Sequence, residues 1–274
     1  MNYRHAFHAG NFADLVKHGV LTALMDVLTR DGGPLTVVDT HSGAGAYDLT
    51  GEMSRRSGEA AAGIFRLMAA SDSPPAFQPL KDAVAAMNRG GEVVLYPGSP
   101  LLVAKALRKE DRYFACELRE DDCETLRGTL EPFANAEALK TDGYAAAVER
   151  IAAKGRAFVL IDPPFERGDD YAQIARAVGA VRRKNPEAAT AVWVPLKDLE
   201  TLDRFLRELE DAADASLLVA ESRLRPLNNP MKMNGCAMVM LGAPEAAVEP
   251  ATAICRWVAG RLGDAGGEAR VWRT

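Results

Sequence analysis

Two consecutive prolines stand between an acidic and an aromatic residue in Asp162-Pro163-Pro164-Phe165. Each proline fixes φ and lacks an amide donor, so the carbonyls of this turn stay available as hydrogen-bond acceptors. A carboxylate and a proline carbonyl that both accept from an exocyclic amine can hold it pyramidal, with its lone pair toward a methyl donor. Phe165 adds a face on which an extruded base can stack. We therefore expect Asp162, Pro163 and Phe165 to be catalytic; the alternative is a chance proline turn.

A glycine-containing segment, Asp39-Thr40-His41-Ser42-Gly43-Ala44-Gly45, follows a predicted strand. It resembles the D-x-G-x-G-x-G loop of enzymes that bind S-adenosylmethionine, with His41 in place of the first glycine. Such loops need glycine because the backbone approaches the ligand and then turns sharply. Gly43 is therefore a candidate cofactor-binding residue. A plain tight turn uses the same residues, and the loop alone does not separate the two interpretations.

Acidic residues mark two further predicted elements. Glu117 ends a strand, where a carboxylate can accept hydrogen bonds from both ribose hydroxyls of a nucleoside cofactor. Asp142-Gly143 begins a helix near the expected position of the adenine ring. A solvated strand end and a helix N-cap are the respective alternatives. Together, the proline turn, the glycine loop and the strand-end acid indicate an N-methyltransferase that uses S-adenosylmethionine.

Strands and helices alternate over most of the chain, which predicts βαβ units and a parallel sheet. The last two strands are separated only by a loop and are expected to be antiparallel. The predicted fold is therefore α/β, with a Rossmann-like, doubly wound, mostly parallel sheet and a late antiparallel strand. The predicted helices cover residues 12–29, 101–108 and 143–153, and the strands cover residues 35–39, 113–117, 157–162, 190–195, 216–220 and 236–241.

One interval does not fit a compact sheet. The separation from Gly45 to Glu117 is far greater than the roughly 20 residues usual between a glycine loop and its acid. Helical stretches at residues 59–70 and 80–88 fall in this gap. We expect a methyltransferase core with an N-terminal helix, residues 1–47 and 98–274, and a small helical insertion, residues 48–97. The insertion is too short to bury much core alone.

Two segments could contact nucleic acid. The N-terminal dozen residues interleave Tyr3 and Arg4 with two histidines and two phenylalanines, and contain no acid. Basic and aromatic side chains in this pattern suit a phosphate backbone with splayed bases. Lys17 follows on the first helix, within reach of the same phosphates. Residues 223–235 also carry three basic residues and no acid. A polar terminus and a surface hairpin loop are the alternatives.

The composition excludes several classes of protein. The net charge is −5, with 48% hydrophobic and 26% charged residues, so neither a disordered chain nor a bulk polyanion binder is expected. No apolar run reaches the roughly 18 residues of a membrane span, and no signal-peptide pattern is present, so we expect a cytoplasmic protein. The cysteines form no CxxC pair and the histidines no HExxH pattern, so no metal is expected.

The N-terminal block is the most specific part of the sequence. With motifs farther along, it resembles the signature of the bacterial 23S ribosomal RNA adenine-N6 methyltransferase J family. The matching segments are Tyr3-Arg4-His5-Ala6-Phe7-His8-Ala9-Gly10-Asn11, Ala13-Asp14, Lys17-His18, Asp39 to Gly45, Tyr96-Pro97-Gly98-Ser99-Pro100, Glu117, Asp142-Gly143 and Asp162 to Glu166.

The resemblance implies a class I methyltransferase fold with a small helical insertion, S-adenosylmethionine as methyl donor and an adenine of 23S ribosomal RNA as acceptor. It implies Asp162 as the catalytic acceptor, and Tyr3 as a residue that contacts the RNA or gates the pocket. Phe165 replaces the more common tyrosine, which keeps the stacking face and loses a hydroxyl. The cofactor site implied by matching position contains His18, His41, Ser99, Glu117, Asp142 and Gly143, and Asp162 is expected to contact the cofactor as well.

Two other functions share part of this evidence. A DNA adenine-N6 methyltransferase would use the same Asp162–Phe165 chemistry, but the sequence shows no obvious module for reading the major groove. A non-catalytic nucleic-acid-binding protein could keep the fold, but it would not need the carboxylates of Asp162 and Glu117. We therefore expect a ribosomal RNA methyltransferase, acting as a monomer on 23S ribosomal RNA.

Overall fold

A computed structural model describes residues 7–30, 32–229 and 231–274. Its α-helices are α1 (Phe12–Arg30), α2 (Glu52–Ser57), α3 (Glu59–Ala62), α4 (Ile64–Ala69), α5 (Gln78–Met87), α6 (Ser99–Ala106), α7 (Glu120–Leu130), α8 (Gly143–Glu149), α9 (Asp170–Lys184), α10 (Leu199–Ala213) and α11 (Val248–Leu262). Its strands are β1 (Leu35–Asp39), β2 (Ala46–Asp48), β3 (Leu95–Pro97), β4 (Arg112–Cys116), β5 (Ala136–Leu139), β6 (Arg156–Ile161), β7 (Ala189–Leu196), β8 (Leu217–Arg223), β9 (Gly235–Leu241) and β10 (Glu268–Arg273).

Eight of these strands form one sheet, in the order β5-β4-β1-β6-β7-β9-β8-β10. β5, β4, β1, β6 and β7 pair in parallel. β9 is antiparallel to both β7 and β8, and β10 is antiparallel to β8. The predicted mostly parallel sheet with a late antiparallel strand is confirmed. β10 was not predicted, because its charged residues interrupt the apolar alternation of a half-exposed edge strand.

Side chains of the central strands alternate between two apolar clusters, one on each face of the sheet. In β6, Phe158 and Leu160 point into the cluster that holds α1 and α11. Val159 and Ile161 point into the cluster that holds α9 and α10. Helices therefore cover both faces, which explains why the parallel strands read as continuous apolar runs.

The first helix, α1, is buried along almost its whole length. The Asn11 side chain caps it, with Oδ1 accepting from the Asp14 amide at 2.9 Å. Asp14 reaches back in turn to accept from the Gly10 amide. A helix that is buried on all sides forms part of the core, so the N-terminal segment is anchored at the sheet.

Helices α2 to α5 and a 3-10 turn, Pro75–Phe77, occupy most of residues 48–97. β2 and β3 bracket them as a separate antiparallel pair. The predicted helix over residues 59–70 is broken at Gly63, where a Cβ would lie 2.1 Å from the Gly10 carbonyl oxygen. This close approach of the N-terminal segment explains the break. Phe77 packs edge-on against Trp257 of α11, so these helices extend the main core.

The chain passes from β1 to β4 on one side and returns to β6 on the other. Ligands of such sheets bind beyond the carboxyl ends of the strands at this switch point. None of the described helices is long and apolar enough to cross a membrane.

Candidate active site at the switch point of the sheet

A cavity of about 380 Å³ opens at this edge of the sheet. It lies within the range typical of small-molecule sites. Of the site residues expected from the sequence, only Tyr3 and Arg4 lie outside the described residues. All the others line this one cavity: Lys17, His18, His41, Gly43, Ser99, Glu117, Asp142, Gly143, Asp162, Pro163 and Phe165.

Glu117 joins the end of β4 to the glycine loop. Its Oε2 accepts from the Gly43 amide at 3.0 Å, and its Oε1 accepts from the Arg119 amide at 2.8 Å. Burial raises the pKa of Glu117 above its ordinary value. Each carboxylate oxygen has a second lone pair, so both can still accept from a ribose hydroxyl. These acceptors therefore fit the ribose of a nucleoside cofactor.

Two glycines allow the loops to approach closely. Gly43 has a φ of +61°, and a Cβ there would meet the Tyr47 hydroxyl at 2.3 Å. A Cβ on Gly143 would lie 2.0 Å from the Thr40 carbonyl oxygen. Asp142 caps α8 by accepting from the Tyr144 amide at 2.8 Å. The N-cap alternative for Asp142 is therefore present in the structure, while the residue also lines the cavity.

Asp39 is a buried residue behind the cavity wall that sequence reasoning did not assign to the site. Its Oδ2 accepts from the Ser99 hydroxyl at 2.8 Å and from the Tyr113 hydroxyl at 3.3 Å. Its Oδ1 accepts from the His41 amide at 3.3 Å. Burial raises the pKa of Asp39 to about 6, against the opposing effect of the Ser99 hydrogen bond. The sequence offers one signal for Asp39: it is an acidic residue that ends a predicted buried strand and begins the glycine-containing segment.

Both predicted cofactor histidines are held by hydroxyl groups. His41 Nδ1 lies 2.7 Å from Thr40 Oγ1, and its ring meets Tyr144 edge-on. Burial lowers the pKa of His41 to about 4, so this imidazole is neutral at pH 7. His18 is buried, with Nδ1 2.7 Å from the Tyr96 hydroxyl. Tyr96 belongs to the motif used for the resemblance but was not predicted to hold His18.

Lys17 lies between two carboxylates. Its Nζ donates to Asp162 Oδ2 at 2.7 Å and lies 3.0 Å from Asp14 Oδ1. The Lys17 side chain is 6% exposed, and that of Asp162 is 17% exposed. The sequence predicts Lys17 near RNA phosphates; in the structure its ammonium is directed to the carboxylates of Asp14 and Asp162.

Phe165 adopts a left-handed backbone conformation, with φ of 51°. Such strain in a non-glycine residue is often found at functional sites. Its half-buried ring packs 5.1 Å from the Tyr171 ring and 5.8 Å from the Trp193 ring, measured between centroids. Trp193 also lines the cavity. The expected stacking face is thus part of an aromatic cluster, and nothing in the sequence pattern indicated its other members.

Residues 223–235, which end β8 and form the loop to β9, carry three basic side chains in different surroundings. Of these, Arg223 contacts Glu221 and Glu268, and Arg225 pairs with Asp264 at 2.9 Å. Lys232 remains exposed. The predicted basic surface is therefore largely neutralised by ion pairs.

Within the part of the chain that the structure describes, no group of three or more histidine, cysteine or acidic side chains is arranged to hold a metal ion. The four cysteines are buried and unpaired.

Sequence comparison identifies relatives over almost the whole chain. The family model described as "Ribosomal RNA large subunit methyltransferase D, RlmJ" matches residues 32–274. Ribosomal RNA large subunit methyltransferase J of Escherichia coli is 30% identical over 271 residues, covering 97% of this chain and 95% of that protein. The protein of the same name from Haemophilus influenzae is 32% identical over 246 residues, covering 89% of this chain and 88% of the other.

Structure comparison agrees. The crystal structure of a Legionella pneumophila protein superposes with a TM-score of 0.88 at 26% identity, covering 97% of this chain and 98% of that one. The resemblance inferred from the N-terminal block and the methyltransferase motifs is therefore confirmed. The chain belongs to the ribosomal RNA large subunit methyltransferase RlmJ family.

Proposed function

We propose that this chain transfers the methyl group of S-adenosylmethionine to the exocyclic N6 of an adenine in 23S ribosomal RNA. The observation that carries the proposal is the shared cavity: the Asp162 carboxylate opens into the same space as the glycine loop and Glu117. An acceptor for an amino group and a site for a nucleoside donor are thereby placed next to each other. The names of the curated relatives supply the class of RNA.

Asp162 and Pro163 position the acceptor. Lys17 holds Asp162 Oδ2, and we assign Oδ1 to the adenine amino group. The Pro163 carbonyl is the second acceptor, since the following proline provides no donor to compete for it. Together they hold N6 with its lone pair available, and Asp162 Oδ1 receives the proton that N6 must release. Phe165 and Trp193 provide the aromatic surface against which an extruded base stacks.

When bound, S-adenosylmethionine supplies an electrophilic methyl group on a sulfonium. The residues that would hold it are Glu117 at the ribose, the backbone around Gly43 and Gly143, and Asp142 near the adenine. Ser99, His18 and His41 contribute further polar groups to the wall of the cavity. His41 is neutral and would therefore add no positive charge to a cavity that holds a cationic sulfonium.

The N-terminal segment completes the proposed RNA site. Tyr3 and Arg4 precede residues that already line the cavity, among them His8 and Asn11. We expect a truncated protein beginning at Asn11 to lose most of its single-turnover activity on an rRNA fragment. Tyr3→Ala and Arg4→Ala should lower turnover while the free energy of unfolding changes by less than about 0.5 kcal/mol. Full activity of the truncated protein would remove the segment from the site.

A radiolabelled methyl-transfer assay tests the function directly. Protein-free 23S rRNA, assembled large subunits and duplex DNA are offered in parallel, and the product nucleoside is identified after digestion. We expect N6-methyladenosine in the rRNA and no label in the DNA. Label in DNA alone would identify a DNA methyltransferase, and no label with any substrate would identify a non-catalytic binding protein. The expected cytoplasmic monomer is tested by fractionation and by light scattering.

A further inference from the structure

The charges around the mouth of the cavity are unevenly distributed. Beside β4 and β5, Glu117, Asp122 and Asp142 line the cavity. Arg119, on this side, pairs with Asp121 and Asp122 at 2.9 Å each. The net charge on this side of the cavity mouth is therefore negative. A polyanion approaching the cavity from this side would meet repulsion.

The opposite side, beyond β7, presents lysines. Lys197 directly follows β7, is exposed and lines the cavity. Lys232 is exposed in the loop between β8 and β9. Across residues 7–30, 32–229 and 231–274, neither ammonium forms an ion pair. The neighbouring Asp198 carboxylate is engaged at the start of α10, where it accepts from the Thr201 amide and hydroxyl.

Asn234 joins the two lysine-bearing segments into one surface. Its amide nitrogen donates to the Leu196 carbonyl at 2.9 Å, and its side chain donates to the carbonyls of Lys197 and Asn229. The Asn234 side chain is fully buried. The loop is thereby fixed to the corner that carries Lys197, and Met233 from the same loop reaches the cavity wall.

The loop also exposes an apolar side chain. Met231, next to Lys232, is 88% exposed. A flexible thioether suits contact with the face of a nucleobase. Unpaired cations beside an exposed apolar group match the chemistry of an RNA strand, which presents phosphates and unstacked bases together.

We infer that Lys197 and Lys232 bind phosphates of the RNA strand beside the target adenosine. The strand then crosses the cavity mouth over the end of β7 and the β8–β9 loop. The inference rests on the proposed function. When the target base enters the cavity, the rest of its RNA strand lies at the cavity mouth. Because the protein has a net charge of −5, unpaired cations at that place must attract the phosphates.

The test compares two matched double variants. Lys197→Gln/Lys232→Gln removes the proposed contacts. Lys109→Gln/Lys154→Gln removes two exposed lysines that precede β4 and β6, at the opposite edge of the sheet. Filter binding of a labelled 23S rRNA transcript is measured between about 50 and 200 mM salt, with S-adenosylmethionine affinity measured by calorimetry.

We expect the first variant to bind RNA about tenfold more weakly, with a slope of log K against log salt that is shallower by about 1.4, as for two single-strand phosphate contacts. The control variant should bind RNA as the wild type does. Both double variants should keep the cofactor affinity and the kcat at saturating RNA of the wild type. Each single variant should show about half the change in slope. An unchanged slope in the double variant overturns the inference. A wild-type protein that binds the transcript but does not methylate it would contradict the proposed function instead.

Discussion

The two halves of the cavity are built differently. The half assigned to the cofactor is built mainly from loops that directly follow neighbouring parallel strands, with His18 of α1 and Ser99 of α6 at its wall. Hydrogen bonds hold its polar groups, as between Glu117 and Gly43 and between Asp39 and Ser99. The half assigned to the adenine combines distant segments: α1, the turn after β6, the end of β7 and the β8–β9 loop. The first is fixed by the sheet, whereas the second depends on packing between elements.

We expect this difference to separate effects on cofactor binding from effects on methyl transfer. Substitutions in the cofactor half should lower affinity for S-adenosylmethionine, because the groups they remove are acceptors in a formed pocket. Substitutions in the adenine half should leave that affinity intact and lower the rate of methyl transfer. Variants in the two halves should therefore separate the two effects.

The largest effect is expected at Asp162. Asp162→Asn keeps the volume but replaces the carboxylate that accepts from the amino group and takes its proton. Methyl transfer should fall by at least about 100-fold, as for loss of a positioned proton acceptor. Single-turnover rates at saturating RNA and cofactor measure the change, and calorimetry should show cofactor affinity within a few fold of wild type.

Asp169→Asn, an exposed acid in the loop after the same turn, serves as the control and should retain wild-type rates. An Asp162→Asn protein with near-normal turnover would assign the acceptor role to another residue.

Lys17 should affect both rate and stability. Lys17→Gln removes the positive charge between the carboxylates of Asp14 and Asp162. Breaking a buried ion pair by removing one partner costs about 3 kcal/mol of unfolding free energy, and turnover should fall because Asp162 loses its fixed orientation. Denaturant unfolding of Lys17→Gln beside Lys109→Gln measures this cost. An unchanged stability with weaker RNA binding would restore the phosphate contact expected from the sequence.

The cofactor half is tested at Glu117. Glu117→Ala removes the acceptor assigned to the ribose hydroxyls, and affinity for S-adenosylmethionine should fall by about 1.5–3 kcal/mol. Calorimetry gives the value directly, with Glu124→Ala, an exposed position on α7, as the control. The rate at saturating cofactor should change far less than in Asp162→Asn. Equal affinities for wild type and Glu117→Ala would place the ribose elsewhere.

The contrast between the halves also explains what the sequence could reveal. Gly43 follows one predicted strand and Glu117 ends another. Because the carboxyl ends of these parallel strands must meet at one edge of the sheet, the sequence alone brings the two residues together. The pairing of Lys17 with Asp162 spans 145 residues and depends on how α1 packs on the sheet, which no local pattern encodes. The break at Gly63 likewise arises from contact with Gly10, whereas the helical residues around it suggest a continuous helix.

The smallest effect is expected at Tyr96, which connects the returning strand β3 to the cofactor half. Burial raises the pKa of Tyr96 well above 10, so its hydroxyl is neutral when it meets His18 Nδ1. A hydrogen bond at one ring nitrogen fixes the tautomer and orientation of the other. Tyr96→Phe keeps the buried ring and removes only this bond, which is worth about 1 kcal/mol. The dissociation constant for S-adenosylmethionine should rise about fivefold, with little change in kcat.

If Tyr96 acts through His18, the double variant His18→Gln/Tyr96→Phe should bind S-adenosylmethionine no more weakly than His18→Gln alone, since the effects of coupled residues are not additive. Additive losses in that cycle would show that the Tyr96 hydroxyl acts independently of the imidazole.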